Sequence, residues 1–424
     1  MVMRKSVVFA AIGALGVLLA ACGPASSSSS SSSADSDSGK AKTLTVWADK
    51  DKSNGIKAAV KTFEKDNNVK IKIVEKAYAN QLEDLRLDGP AGTGPDVITI
   101  PSDQIGSATT EGLLKELTVS ESDQSKYTDS AMQSQIVDGK VYGLPRAVET
   151  TFIYYNKKLL SDSDVPKTAD EWLAFSKKQV AAGKYGLLAL WDQLYYAGGI
   201  LSSYGGYIFG QDSNGNYNAD DIGLNNAGAV KAATYVKKWY DAGVFPKGIL
   251  GDNGINTLDS LFTEGKAAAV ISGPWNMDPY KKAGIDYGVA ELPTLPNGKH
   301  MSSYIGVKSW NVSSYSKNGD LAEKLIKFLS TEDNAETAFK ETQEVPALKS
   351  LAESDAVKAN IGAEAVAKQS QYAELTPTIS AMNQVWDPAN NAMSVIATGK
   401  QAPKAALDSA VKTIKSAIKA NSNK

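Results

Sequence analysis

The sequence predicts an α/β protein whose body opens on a β-α-β-α-β run and continues into a second α/β unit. Three observations carry this. Strand-like and helix-like segments alternate from Lys42 to Ile100, the order that packs as a largely parallel sheet covered by helices. The pattern then shifts to two extended segments close together. A body from about Lys42 to the end of a 424-residue chain is also too long for one ordinary core and suits two domains.

Lys42 to Trp47 is β-prone and moderately alternating, a first strand. Ile56, Ala59, Val60 and Phe63 recur at helical spacing and give one apolar face to a helix. Val69, Ile71 and Ile73 alternate with Lys70 and Lys72, a strand with one buried face. A short helix near Gln81 to Leu87, the punctuation Gly94-Pro95 and a strand at Val97 to Ile100 complete the run. Val141 to Pro145 and Thr151 to Tyr155 read as two strands flanking Arg146-Ala147-Val148-Glu149. Thr168 with Glu171 fits a capping box that starts a helix through Trp172. Further helices are predicted at Ala227 to Tyr240, Leu321 to Leu329 and Ala405 to Lys419, and Met301 to Val312 reads as extended.

The N-terminus is of another kind. Arg4 and Lys5 precede an apolar run, Val7 to Leu19, the signature of a secretory leader over residues 1–21. Its exit, Leu19-Ala20-Ala21-Cys22, resembles the lipobox of bacterial lipoproteins, which implies a lipid on the Cys22 sulfur. Cys22 is the single cysteine of the chain, so no internal disulfide is available. Residues 22–41, with eight consecutive serines from Ser26 to Ser33, have almost nothing apolar to bury and read as a flexible tether.

Composition narrows the function. Hydrophobic residues are 42% and charged residues 22%, the balance of a soluble globular protein. The formal charge is −2, and loss of Arg4 and Lys5 with the leader takes it to −4. No basic stripe appears, so nucleic acid is not an expected partner. The single histidine, His300, stands in a loop without a cysteine or nucleophile motif beside it, which argues against hydrolase triads and zinc clusters. Carboxylates are plentiful, but nothing in the sequence pairs them as glycoside hydrolysis requires. No catalytic residue, metal site or cofactor is expected.

Leu44-Thr45-Val46-Trp47, then Asn54-Gly55 and Phe63-Glu64-Lys65-Asp66, resemble the start of the bacterial maltose-binding proteins. Gly94-Pro95-Asp96-Val97-Ile98 and Tyr142-Gly143-Leu144-Pro145 with Ala147-Val148-Glu149 resemble later landmarks. So do Ile153 to Leu160, Phe262 to Ala268, Ile271-Ser272-Gly273-Pro274-Trp275, and Gly288-Val289 before Leu292-Pro293. Order and spacing hold over nearly the whole body. The resemblance implies a two-lobed periplasmic-binding-protein-like fold with a hinge and a ligand cleft between the lobes. One lobe takes 42–148 and 303–348; the other takes 149–302 and 349–424. It also implies the substrate-binding component of an ABC sugar importer, a monomer lipid-anchored at the outer face of the cell membrane. That component binds maltodextrin-type or related oligosaccharides and meets permease subunits.

A sugar presents C–H faces that pack on aromatic rings and hydroxyls that need partners once water leaves, so Trp and Tyr mixed with Asp and Glu are expected. The resemblance assigns Trp275, Trp386 and Tyr195 as stacking residues. It assigns Glu149, Asp103, Glu83, Gln193 and Asn390 as polar contacts, with Asp192 an alternative to Gln193. An Asp-Lys pair after the first strand matches either Asp51-Lys52 or Asp49-Lys50. Ile100, Gln104, Asp387 and Asn390 depart from the best-known maltose binder, as if one stacking platform and two cationic donors were gone.

Overall fold

In a computed structural model of the protein, the described residues are 42–50, 52–212, 216–251 and 253–422. The leader, Cys22, the serine-rich segment and Asp51 lie outside them. The opening run forms β1 (Lys42–Asp49), α1 (Asn54–Asn67), β2 (Val69–Lys76), α2 (Gln81–Asp88) and β3 (Val97–Pro101). Helix α1 forms because Ile56, Ala59, Val60 and Phe63 line one face, and all four are buried. It stops at Asn68, which takes a left-handed conformation (φ 49°) and returns its amide to the Glu64 carbonyl. Strand β1 is parallel to both β2 and β3.

The chain then enters β4 (Leu144–Glu149), turns through Thr150 and Thr151, and enters β5 (Phe152–Asn156). Arg146 to Glu149, expected between two strands, are themselves strand. Pro145, Arg146 and Glu149 are poor strand formers, but pairing with a distant strand overrides local preference. That partner is β9 (Tyr304–Val312), which runs antiparallel to β3 on one side and to β4 on the other. The stretch expected to be extended from Met301 begins as strand only at Tyr304. Among the described residues the first sheet has six strands, with β10 (Glu374–Leu375) on the far edge of β9.

A second sheet, of four strands, holds β5, β6 (Tyr185–Leu188), β7 (Ala267–Ser272) and β8 (Tyr287–Ala290), in the order β8-β5-β7-β6. Strands β5 and β7 are buried along their whole length, because helices cover both faces. The capping box at Thr168 and Glu171 is formed and starts α3 (Ala169–Ala181). Helices α4 (Leu194–Ser203), α5 (Ala227–Asp241), α6 (Gly319–Leu329), α7 (Ile361–Ser370), α8 (Trp386–Ala397) and α9 (Pro403–Ser422) follow. One core lies around the second sheet, built on Trp172, Trp191, Trp239 and Phe262. Two more flank the first sheet, one around Phe63 and Trp310, the other around Trp47 and Ile100.

The segments passing between the sheets are bound to each other. Thr150 Oγ1 lies 2.6 Å from Ser303 Oγ and donates to the Tyr304 carbonyl at 2.8 Å. Buried Gln369 donates to the Met301 carbonyl at 3.0 Å and accepts from the Leu292 amide at 3.0 Å. The chain after α6 returns along β4, where the Val148 amide donates to the Val345 carbonyl. Helix α4 lies so close to this junction that a methyl group on Gly199 would collide with the Ser302 carbonyl. An alanine in place of an exposed helical glycine stabilises by up to about 1 kcal/mol. Gly199→Ala is expected to do the opposite, lowering stability by about 1–3 kcal/mol in urea unfolding, because the backbone beneath must shift.

Candidate functional site

The parallel strands β1, β2 and β3 end on one side of the first sheet, the side where open α/β sheets hold ligands. Asp49 closes β1, Tyr78 follows β2, and Asp103 follows β3 in a single helical turn. Glu149 closes β4 at the first passage to the second sheet. The second lobe contributes rings: Tyr195 in the first turn of α4, Trp275 in the turn after β7, and Trp386 at the start of α8. Tyr195 and Trp275 lie with ring centroids 6.3 Å apart. The Trp275 ring folds over Gly273, where any side chain would collide with it.

The two sets meet. Trp386 Nε1 donates to Asp103 Oδ2 at 3.1 Å, a hydrogen bond across the cleft. Burial pushes the Asp103 carboxyl up to about 6; the bond from Trp386 opposes this and the nearby Glu149 charge adds to it. Burial also holds the Tyr195 phenol well above its usual range, with Glu149 next in effect.

Beneath this surface lies an ionic cluster. Lys308, on β9, has a side chain only 8% exposed, and its ammonium lies 3.1 Å from Glu149 Oε2 and 3.1 Å from Glu344 Oε1. Arg146 pairs with the other oxygen of Glu344 and stacks on Trp310 at 4.8 Å. Burial works against the Lys308 charge, but Glu149 and Glu344 outweigh it and its pKa stands above the ordinary lysine value. Burial likewise opposes ionisation of Glu344, yet Arg146 and Lys308 prevail and bring it down to about 2. Asp49 is raised, chiefly by burial. Glu149 is more open than Lys308 and Glu344, with 20% of its side chain exposed.

The structure therefore brings together Asp103, Glu149, Tyr195, Trp275 and Trp386 from the expected set. Of the others, Lys52 bears on the ionic cluster through Glu344, whose carboxyl its charge helps to lower, and the rest make their contacts elsewhere. Lys52 donates to the Thr342 carbonyl at 2.9 Å. Glu83 is 67% exposed and paired with Arg86 at 2.6 Å on the outer face of α2. Gln193 precedes α4 and reaches the Gly251 carbonyl at 3.5 Å. Asp192 is buried and accepts from the Gly251 amide at 2.7 Å, so it does not take the place of Gln193 in the cleft. Asn390 accepts from the Leu194 amide at 2.7 Å, filling one of the open donors at the start of α4. Ile100 is wholly buried in the core, so no platform stands at its position. Asp387 is exposed, and the Gln104 side-chain oxygen is buried without a partner among the described residues.

Sequence reasoning passed over Tyr78, Lys308, Glu344 and Arg146. Two signals were available. Tyr78 stands at the C-terminal end of a parallel strand, and Lys308 interrupts an otherwise uncharged strand, Tyr304 to Val312, where a charge must be paired to be tolerated.

Two lobes, each with its own sheet, joined by adjacent chain passages and facing each other across rings and carboxylates, define a solute-binding protein of the periplasmic type. The chain belongs to the family of bacterial extracellular solute-binding proteins, which it matches over residues 58–365. It is 57% identical to a galactooligosaccharide-binding protein of Bacillus subtilis (strain 168) over 98% of both chains. It is 40% identical to the maltodextrin-binding protein MdxE of the same organism, over 85% of this chain and 87% of that one. The crystal structure of MalX from Streptococcus pneumoniae in complex with maltopentaose superposes with a TM-score of 0.82 at 35% identity, covering 88% of this chain and all of that one (100%).

Removing the Glu344 carboxylate leaves Lys308 and Arg146 sharing one partner fewer in a buried place. Glu344→Gln is expected to destabilise the ligand-free protein by about 3–5 kcal/mol at neutral pH. Because the folded-state pKa is depressed, this contribution is whole above the ordinary glutamate value and is lost as pH falls towards about 2. The gap between wild type and variant in denaturant unfolding should narrow only on the acid side.

Proposed function

We propose that the chain is the oligosaccharide-binding component of an ATP-driven importer, held at the outer face of the cell membrane through Cys22, and that it binds its sugar without chemical change. The observation that carries this is the division of the cleft: Tyr195, Trp275 and Trp386 on one lobe, Asp103 and Glu149 on the other. Rings suit the C–H faces of hexoses, and ionised carboxylates accept from hydroxyls without competing donors. Three rings on one lobe, two of them with centroids 6.3 Å apart, offer contact area for more than one sugar unit. The relative named for galactooligosaccharides shares 57% of its residues over nearly the full chain, which makes galactooligosaccharide the first reading for the ligand. Maltodextrin is the second, supported by the maltopentaose held in the MalX structure and by the three retained rings. Glu149 is tied to Lys308 and Asp103 accepts from Trp386, so each has one oxygen engaged and a second available as a hydrogen-bond acceptor. The permease and ATPase subunits of the importer are the expected protein partners, met by a monomer, and no cofactor enters.

Calorimetric titration with galactotriose, maltotriose, maltopentaose and lactose tests this reading. Saturable binding of at least one oligosaccharide is expected, with no reducing ends released on incubation. A folded protein that responds to none of them would sink the proposal, and released reducing ends would make it an enzyme. Trp275→Ala should weaken the tightest of these sugars by about tenfold or more while leaving the ligand-free melting temperature nearly unchanged. A collapse of stability instead would make Trp275 a core residue.

When Asp103 takes up its proton, an acceptor is lost. Its raised pKa places that event near pH 6 in the ligand-free protein, within reach of ordinary buffers. Sugar affinity measured by tryptophan fluorescence is therefore expected to fall as pH drops through about 6, and to be flat above pH 7. Asp103→Asn should bind weakly and lose that slope.

A further inference from the structure

We propose that Tyr78 is a sugar-contacting residue of the first lobe, donating its phenolic hydroxyl to the ligand beside the Glu149 carboxylate; this rests on the sugar-binding reading above. Tyr78 begins a short helical turn directly after β2, in the same row of strand ends as Asp49 and Asp103. Its main chain is fixed there, for its amide donates to Asp49 Oδ1 at 3.2 Å. Its ring is fixed as well, lying 4.9 Å from the Lys308 ammonium, which Glu149 and Glu344 hold in turn.

The hydroxyl at the end of this well-anchored ring is buried and has no hydrogen-bond partner among the described residues. The Tyr195 hydroxyl, on the opposite lobe, is in the same condition. Both phenols feel the Glu149 and Asp103 carboxylates, Tyr78 from the first lobe and Tyr195 from the second. Burial and these charges keep both phenols protonated, as donors. Native proteins rarely leave a buried donor unmatched, and a ligand acceptor is one way of matching it.

The chemistry of a sugar hydroxyl fits this arrangement. Such a group both donates and accepts. A carboxylate can only accept, whereas a phenol supplies the donor that the carboxylate lacks. Tyr78 near Glu149 therefore serves a hydroxyl in both directions, and Tyr195, on which Glu149 also acts more strongly than Asp103, adds a donor from the second lobe. Sites built to hydrogen-bond a substrate hydroxyl discriminate strongly against ligands that lack it or place it elsewhere. Tyr78 is thus a residue that sets which hydroxyl pattern the first lobe accepts.

The test is Tyr78→Phe, which removes the hydroxyl and keeps the ring over Lys308. It is titrated calorimetrically beside wild type with galactotriose and maltotriose. The expected result is a loss of about tenfold in affinity for whichever sugar wild type binds tighter. The ligand-free melting temperature should be unchanged or higher, since an unmatched buried polar group is gone. Affinity within about twofold of wild type would overturn the proposal. Should the variant not fold, a crystal structure of wild type with that sugar decides. A sugar oxygen within hydrogen-bond distance of Tyr78 Oη supports the proposal, and none there overturns it. Failure of wild type to bind any sugar overturns the sugar-binding reading itself, and this inference with it.

Discussion

A single buried ammonium organises the junction between the lobes. Lys308 sits in the middle of β9, where a charge taken out of water must be surrounded by opposite charge or be lost. The two carboxylates that surround it come from different parts of the chain. Glu149 closes β4 at the first passage between the lobes, and Glu344 stands where the chain returns along β4 before the last passage. One cation therefore ties together the three segments near which the chain changes lobe. Arg146 adds a second positive charge to Glu344, and the Trp310 ring beneath Arg146 closes the cluster from below. A buried ion pair contributes little net stability compared with well-packed apolar groups. Its effect here is on geometry, for Glu149 cannot move without disturbing Lys308.

That constraint also fixes what faces the cleft. Lys308 holds one oxygen of Glu149, whose side chain is still 20% exposed. Lys308 also lies over the Tyr78 ring, 4.9 Å from its centroid. Asp103 is held by Trp386 from the other lobe, and Trp386 in turn begins a helix that packs on the second core. Carboxylates and the Tyr78 phenol thus gather at the strand ends of the first sheet, while the rings of Tyr195, Trp275 and Trp386 pack on the core around the second.

Much of the fold was legible because local signals and burial agree. The helical spacing of Ile56, Ala59, Val60 and Phe63, and the capping box at Thr168 and Glu171, state their elements in a few adjacent residues. What failed to show lies in contacts between residues far apart in the chain. Strand β4 contains Pro145, Arg146 and Glu149, and pairing with distant segments, the ladder to β9 above all, makes it a strand. The oxygen of Asn390, a residue expected at the ligand, accepts from the Leu194 amide 196 residues away, a contact no local signal announces. Among the site residues, the rings and the two acids of the cleft were legible from landmark motifs. Lys308, Glu344 and Tyr78 were not, because their meaning depends on which charges surround them.

The separation of chemistries between the lobes bears on how such a protein answers its ligand. Rings alone offer a sugar contact area but no partners for its hydroxyls; carboxylates and a phenol alone offer partners in a place still open to water. A hydrogen bond is worth more once water is excluded, because the competing solvent partner is gone. A sugar touching both sets therefore favours the closed arrangement over the open one by the strength of the second set of contacts, and a ligand shifts a conformational equilibrium only by such a difference. The Trp386–Asp103 bond spans the same gap without a sugar. It sets the baseline against which a ligand must act, since an arriving hydroxyl that claims Asp103 has to replace the indole donor with one at least as good. On the proposed assignment of Asp103 and Trp386 to the ligand, a sugar that places a hydroxyl near the one while a ring face rests on the other would meet that condition, and one that satisfies a single side would not.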